Sequence, residues 1–420
     1  MSDFRNRTRI RVLKELWQDY HSQEGWYQFD RWLDRQFKSN HAFGKRDRRW
    51  YSEYLFTAFR YAELAFAVLG DKLHKTSEKD VKARFLRWNT DAFWAIIEER
   101  AGFPEKAFAD DLEKHKDRLL EFKSDALMWA GLPAHWAPSI QERAEASEWS
   151  EDQTQKFIEY IGIKAPLWIR LNQIEKLEEL KKELAHENIR VLEEDAEALS
   201  VEGNKSLYAL QSFINGAFEI QDWASQQIIK LVDFKGLKRV WDACAGAGGK
   251  SLQIAFLMRN KGLLYSSDLR AYKLEELRRR AKRDNVQNIR TFEWQGELPD
   301  WKKLPEVKDG FFDLVFVDAP CSSSGVIRRN PELRFKFSQE ELPELNKLQL
   351  KILHNAATSV RPGGFLCYGT CSFFVQENER IVEQFSQKNS RFTLISQKMH
   401  GMPARNSDAT FSALWQRQLD

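Results

Sequence analysis

From about Leu207 onward, short apolar runs alternate with amphipathic stretches, and nothing else in the 420-residue chain restricts its fold so tightly. Residues 240–243, 263–267, 314–317 and 365–369 have the length and composition of buried strands. Residues 251–258, 272–283 and 341–360 space their apolar side chains as helices do. Parallel strands can be joined only through a crossover of helix length, so the alternation predicts a parallel, doubly wound sheet in an α/β, Rossmann-like domain. In an open sheet of that kind, ligands gather beyond the carboxyl ends of the strands. The residues that follow each run are therefore the ones to read for chemistry.

Upstream the pattern differs. From Asp3 to about Leu132 apolar residues recur at helical spacing, as in Trp50, Tyr54, Leu55, Ala58 and Tyr61, which predicts an all-helical domain over 1–149. Pro133 and Pro138 punctuate a change to a last helical stretch, the strand-like PLWIRLN at 166–172, a charged amphipathic helix over 174–183 and a short strand near 189–192. These elements predict a small α/β linker module over 150–205, leaving 206–420 for the larger α/β domain. No fixed-period repeat or low-complexity tract interrupts the chain.

Composition excludes some classes. The four cysteines all lie in the second half and are too few for a disulfide framework, so a reducing, cytoplasmic setting is expected. The longest apolar stretch, Leu64 to Leu69, is too short to span a bilayer, and no membrane association is expected. The cysteines and histidines show no CxxC or HxxxH spacing, so no metal site is expected. No extended heptad pattern argues for a dimer, and a monomer is expected. The net charge of +3 is slight, but basic residues cluster at 5–14, 45–49, 278–283 and 328–334. Trp17, Trp26, Trp32 and Trp50 are interleaved with the first two clusters; core packing is the principal expectation for them, and stacking on RNA bases the alternative.

The first turn of the α/β region reads Asp242-Ala243-Cys244-Ala245-Gly246-Ala247-Gly248-Gly249-Lys250-Ser251, between a strand and a helix. Glycine there lets the backbone turn sharply and approach a ligand, and the helix start beyond it offers unpaired N–H groups. The GxxxxGK[ST] spacing of a phosphate-binding loop fails because Cys244 stands where its first glycine would be, and GxGxxG fails as well. The next strand ends in Ser266-Ser267-Asp268, a carboxylate placed to bind a ribose diol. A nucleoside held by ribose and base, as in S-adenosylmethionine, fits this pattern better than a phosphate. The competing reading is a glycine turn that only packs helix on strand.

Two cysteines follow strand-like runs in polar turns: Cys321 after Asp318-Ala319-Pro320, and Cys371 after Tyr368-Gly369-Thr370. Paired thiols beside a nucleoside loop point to one difficult reaction, methylation of carbon 5 of a pyrimidine. That carbon is a poor nucleophile until a thiolate adds at carbon 6 and makes an enamine. Asp318 is the candidate partner for ring nitrogen 3, one cysteine the candidate nucleophile and the other the candidate aid to release. Spacing does not order the two thiols. Cys367 sits within a strand and reads as core. Arg328, Arg329 and Arg334, just downstream, are candidate contacts to phosphates beside a target base.

Taken together, DACAGAGGKS at 242–251, DAPCS at 318–322 and YGTCSFFVQENE at 368–379 resemble the motifs of the Sun/Nop family of RNA cytosine-carbon-5 methyltransferases. GAFEIQDWASQ at 216–226 is similar to that family's entry to its catalytic domain, and the helical amino-terminal region with Lys45-Arg46-Asp47-Arg48-Arg49 to a NusB-like RNA-binding domain. The resemblance implies S-adenosylmethionine as cofactor and RNA, ribosomal RNA in particular, as partner. It also implies Cys371 as nucleophile, Cys321 as the residue assisting release, and Cys244, Ala245, Gly246, Ala247, Gly248, Gly249, Lys250, Asp268 and Asp318 as cofactor contacts. Two positions depart from the family. Ala247 stands where proline is usual, and Trp294-Gln295-Gly296-Glu297 occupies the place of the adenine-side aspartate, leaving Gln295 or Glu297 for that contact.

Overall fold

The computed structural model describes residues 2–25, 28–71, 78–203, 207–307, 309, 311–336 and 339–419. Trp26 and the expected boundary at 205/206 lie outside the described residues. The chain divides into two compact units.

The first unit comprises Met1–Ala144, Trp149–Lys164 and Ile327–Ser338. It is helical, with its main helices at Ser2–His21, Phe29–Ser39, Lys45–Val68, Glu78–Arg87, Asp91–Ala101 and Glu151–Gly162. Local signals set several ends. Thr90 Oγ1 accepts from Phe93 N to start one helix, and Gly102, at φ +66°, closes it. Ser150 and Gln153 form a reciprocal capping box for the last. The core is dense in aromatic rings: Trp17 lies 4.7 Å from Phe59 and 5.4 Å from Trp94, centroid to centroid. Trp17 and Trp32 are buried and Trp50 packs 4.1 Å from Tyr54, so these tryptophans serve packing.

Two expectations are corrected in this unit. Helix Glu151–Gly162, grouped by sequence with the module at 150–205, belongs here; Gly162 lies so close to Ala130 that a Cβ on it would come within 2.7 Å of the Ala130 Cβ. Arg328 and Arg334 are not phosphate contacts. Both are buried. Arg334 Nη1 donates to the carbonyls of Arg60, Ala130 and Gly131 at 2.6, 2.9 and 2.8 Å, and its Nη2 to Ile161 at 2.8 Å. Arg328 donates to the carbonyls of Ile163 and Lys164, and Arg60 Nη2 to that of Arg328. A guanidinium carries five donors in a fixed fork, and a cluster of main-chain carbonyls takes up those on Nη1 and Nη2 of Arg334, while its Nε has no hydrogen-bond partner among the described residues. Burial, then Arg60 nearby, pulls the Arg334 pKa down to about 9.

The second unit comprises Glu145–Glu148, Ala165–Val326 and Gln339–Asp420. It opens with an antiparallel sheet of β1 (Leu167–Leu171), β2 (Val191–Asp195), β3 (Ala198–Val201) and β4 (Phe218–Ile220), in the order β2-β3-β1-β4. Helix Leu177–His186 covers it, with Leu180 and Leu184 packed in a cluster with Ile169, Leu199 and Phe218. β4 lies beyond residue 205, so the small sheet runs past the expected module boundary.

The main sheet holds β5 (Arg239–Asp242), β6 (Leu263–Asp268), β7 (Ile289–Glu293), β8 (Phe312–Asp318), β9 (Val360–Thr370), β10 (Phe392–Gly401) and β11 (Ala409–Arg417), in the order β10-β11-β9-β8-β5-β6-β7. Alternate residues feed two cores. Val240, Leu264, Leu314 and Cys367 face one side, and Trp241, Tyr265, Val315 and Leu366 the other. β9, β8, β5, β6 and β7 are parallel, but β11 pairs antiparallel with β9 and β10 with β11. The sheet is therefore mixed, a correction to the all-parallel expectation. This is a Rossmann-like α/β sheet whose strand order reverses between β5 and β8, where a crevice forms at the strand ends.

Candidate active site

Between the end of β5 and helix Gly249–Leu257 the backbone turns through Gly246 (φ +53°) and Gly248 (φ +88°). A Cβ on Gly248 would stand 2.1 Å from Leu277 Cδ1, so both the left-handed backbone and the close approach require glycine. Asp242, at the strand end, is buried; its Oδ2 accepts from Ser251 Oγ at 2.6 Å, and its Oδ1 has no hydrogen-bond partner among the described residues. Burial pushes the Asp242 carboxyl up to about 7, with the Ser251 hydroxyl pulling the other way.

At the end of β6, Asp268 ties down the same turn: Oδ2 accepts from Gly246 N at 3.0 Å, and Oδ1 from Arg270 N at 2.9 Å. Behind the loop, Arg280 donates to the Ala247 carbonyl at 2.8 Å and Arg170 to the Gly249 carbonyl at 3.0 Å. Arg280 and Arg283 in turn pair with buried Glu219. Side chains thus brace the turn where the resemblance has a proline.

The opposite wall comes from β8 and β9. Their parallel register sets Asp318 beside Gly369, so the two polar turns leave the sheet side by side and Cys321 meets Cys371 with 3.3 Å between sulfurs. Gly325 N donates to the Cys371 carbonyl at 2.9 Å, and a Cβ on Gly325 would lie 2.0 Å from the Ala409 carbonyl oxygen. Ser323, at φ +60°, holds its Oγ 3.6 Å from Cys371 Sγ. A serine held there is strained, as is common in loops shaped by function. Lys250 Nζ bridges the walls with a 2.7 Å ion pair to Asp318 Oδ2. Burial pulls the lysine down, but Asp318 outweighs it and holds the ammonium above its ordinary range.

The two thiols differ electrically. Either sulfur can donate across the 3.3 Å contact; with Cys321 as donor, that bond comes first among the influences that lower the Cys371 pKa, and the same bond, then burial, raises that of Cys321. That polarity favours the thiolate on Cys371. Burial holds the Cys244 thiol protonated, which leaves its backbone as the group to meet a ligand.

One cavity of about 650 Å³ gathers these groups. Cys244, Ala245, Gly246, Ala247, Gly249, Lys250, Asp268, Gln295, Asp318, Cys321 and Cys371 all line it. Gly248 is buried behind the loop against Leu277. Gln295 rather than Glu297 reaches the lining, because the turn is folded back by Trp294 Nε1 donating to the Glu297 carbonyl at 2.9 Å. The sequence reading missed Asp242, Arg270 and Ser323 as lining residues. Asp242 carried a usable signal in its place at the strand end; Ser323 carried none apart from its neighbour Cys321.

A glycine turn, a strand-end carboxylate and an open crevice on this sheet make a Rossmann-like site shaped for a nucleoside-bearing ligand. Residues 230–417 match the family described as 16S rRNA methyltransferase RsmB/F. A probable ribosomal RNA small subunit methyltransferase B of Bacillus subtilis is 36% identical over 227 residues, covering 53% of this chain and 50% of the relative. The chain spans about half the length of the curated relatives it matches. In fold it is similar to the crystal structure of PH0851, with a TM-score of 0.69, 23% identity and coverage of 97% of this chain and 98% of the other. It is also similar to NSun6 from Pyrococcus horikoshii with SFG, with a TM-score of 0.56, 18% identity and coverage of 68% and 98%.

Proposed function

We propose that the chain is an S-adenosylmethionine-dependent RNA cytosine-carbon-5 methyltransferase acting on small-subunit ribosomal RNA. The observation that carries this reading is the pair of thiols 3.3 Å apart, with Asp318, facing the glycine turn across a single cavity. The family match over residues 230–417 and the names of the ribosomal RNA relatives support the substrate. The donor site fits S-adenosylmethionine: the turn exposes backbone, Asp268 stands at the lip, and the unpartnered Asp242 Oδ1 is an acceptor left for a ligand or its water. The relative solved with SFG, an analogue of that cofactor, agrees with this.

The Cys371 thiolate adds to carbon 6 of the cytosine, and the electron pair displaced onto the ring makes carbon 5 nucleophilic. Asp318, fixed by Lys250, holds the ring edge at nitrogen 3 as charge develops there. S-adenosylmethionine, when bound on the glycine wall, supplies the electrophilic methyl group. A base then takes the carbon 5 proton, the C–H electron pair re-forms the 5,6 double bond, and the bond from carbon 6 to Cys371 breaks with its pair leaving on sulfur, a release that Cys321, in contact with that sulfur, assists. Attack needs a ring face, so the base must be unpaired or flipped out of a stack. The helical unit, read as a NusB-like RNA-binding domain, offers exposed Lys45, Arg46 and Arg49 at the start of helix Lys45–Val68 for phosphates.

The test is transfer of labelled methyl to RNA from a strain lacking the gene, comparing wild type with Cys371→Ala and mapping the product by bisulfite sequencing. Label at one cytosine with wild type only is the expected result. Transfer by both proteins would overturn the cysteine mechanism, and transfer to protein or small molecules instead would overturn the substrate.

A further inference from the structure

Glu377 takes no part in the steps above, yet its carboxylate is fully buried beneath the two cysteine turns. Four donors converge on it. Oε1 accepts from Ser322 N at 2.8 Å and Gln349 Nε2 at 3.0 Å, while Oε2 accepts from the hydroxyls of Ser322 and Ser372, both at 2.5 Å. Two carboxylate oxygens have about four lone-pair sites, so the group is saturated. Ser322 follows Cys321 and Ser372 follows Cys371, and one side chain therefore holds both turns.

The polarity of this network is set by the charge. Because the two hydroxyls give their protons to Glu377, their lone pairs are free to accept from the backbone. Ser322 Oγ accepts from Ser324 N at 3.3 Å, and Ser372 Oγ from Phe374 N at 3.0 Å. Ser324 Oγ lies 2.9 Å from Ser372 Oγ and accepts from Phe373 N at 3.0 Å, which stitches the two loops directly. Gln349 also donates to the Pro320 carbonyl at 2.9 Å, just before Cys321. Asn378, next to Glu377, holds the other side: it accepts from Thr370 Oγ1 at 2.6 Å and donates to the Ser372 carbonyl at 2.9 Å.

We infer that Glu377 is a positioning residue for the thiol pair, its buried carboxylate holding the Cys321 and Cys371 turns at reacting distance. An acceptor-only group is needed at this point, since an amide would present N–H groups to hydroxyls already committed as donors. The charge has a second effect. After the hydrogen bond to Cys371 and burial, the Glu377 carboxylate adds to the forces that keep Cys321 protonated and thus able to donate to its partner. The inference rests on the reading of the two cysteines as the reacting groups.

Alkylation by iodoacetamide across the neutral pH range, assigned to each cysteine by mass spectrometry, tests it in the full chain without RNA. In Glu377→Gln the preference for Cys371 over Cys321 is expected to fall about tenfold, the change that one pKa unit brings. Affinity for S-adenosylmethionine, read by calorimetry, is expected to stay within about twofold, because none of the Glu377 partners belongs to the glycine turn. An unchanged alkylation ratio and pH profile in Glu377→Gln would overturn the inference and leave the side chain a packing role. Should that variant lose its cofactor affinity, Ser372→Ala decides: it removes one strut and keeps the carboxylate, and an unaltered Cys371 rate would again overturn the inference. Failure of the wild type to methylate any RNA would defeat the proposed function and leave the alkylation result standing.

Discussion

The two walls of the cavity are built by different means. The glycine wall turns on Gly246 and Gly248, and the side chains that brace it, Arg170 and Arg280, reach its carbonyl groups from behind. The cysteine wall is built of side chains tied to each other, with Glu377 and three serines closing two loops. A backbone wall tolerates a change of side chain, such as Ala247 for proline, provided the turn is held. A side-chain wall fails with the loss of any one member whose partners are left buried and unmatched.

The contrast is sharpest at Cys371, the proposed nucleophile. Cys371→Ala is expected to cut methyl transfer on the order of a thousandfold or more while leaving S-adenosylmethionine affinity unchanged. Steady-state assay beside calorimetry would show it, and a joint loss would mean that the two walls are not independent. Cys321→Ala should also stop turnover, but by stalling release, so that a covalent RNA adduct accumulates. Denaturing electrophoresis reads that species, and the absence of any retarded band would remove Cys321 from the release step.

On the other wall the expected effects are conformational. Gly248→Ala puts a Cβ against Leu277 in a left-handed backbone, at a cost of about 2–4 kcal/mol measured by denaturant unfolding, with cofactor affinity lost as the turn moves. A variant as stable as wild type would show that the loop has room to shift.

The smallest expected effect is a pH dependence. The Asp242 carboxyl, pushed up to about 7 by burial, binds its proton more tightly folded than unfolded. Its contribution to stability is therefore full below the ordinary aspartate pKa, declines as pH rises toward about 7, and is flat above. Asp242→Asn should remove that decline and stabilise the ligand-free protein near neutrality on the order of 1–2 kcal/mol, net of the altered Ser251 hydrogen bond. Thermal melts at acid and neutral pH decide it, and a decline of equal size in the variant would assign the effect elsewhere, with Asp284, also raised to about 7, the next candidate.

What could be read from sequence follows from where each signal resides. β5, β6, β8 and β9 announce themselves as buried apolar runs, and the turns after them carry glycines and cysteines in patterns that few chemistries share. β7 and β10 were invisible because they are edge strands with mostly exposed or half-buried residues; β11 also went unread although it is buried, and its antiparallel pairing with β9 is what makes the sheet mixed. The charged residues Arg328 and Arg334 read as surface, since charge is rarely buried; only the fold shows the carbonyls gathered around them. Glu377 stood within a motif already singled out, but its meaning depends on Ser322, far away in sequence.

The segment Ile327–Ser338, which begins immediately after the Cys321 turn and yet belongs to the helical unit, has a consequence for inheritance. A gene joined at residue 150 from two ancestors would pair Arg60, Phe85 and the carbonyls of Ala130 and Gly131 from one parent with Arg328, Arg334 and Phe335 from the other. Such a hybrid inherits a core with mismatched halves. The two units can change ancestry freely only if two further crossovers, one on each side of Ile327–Ser338, travel with the first.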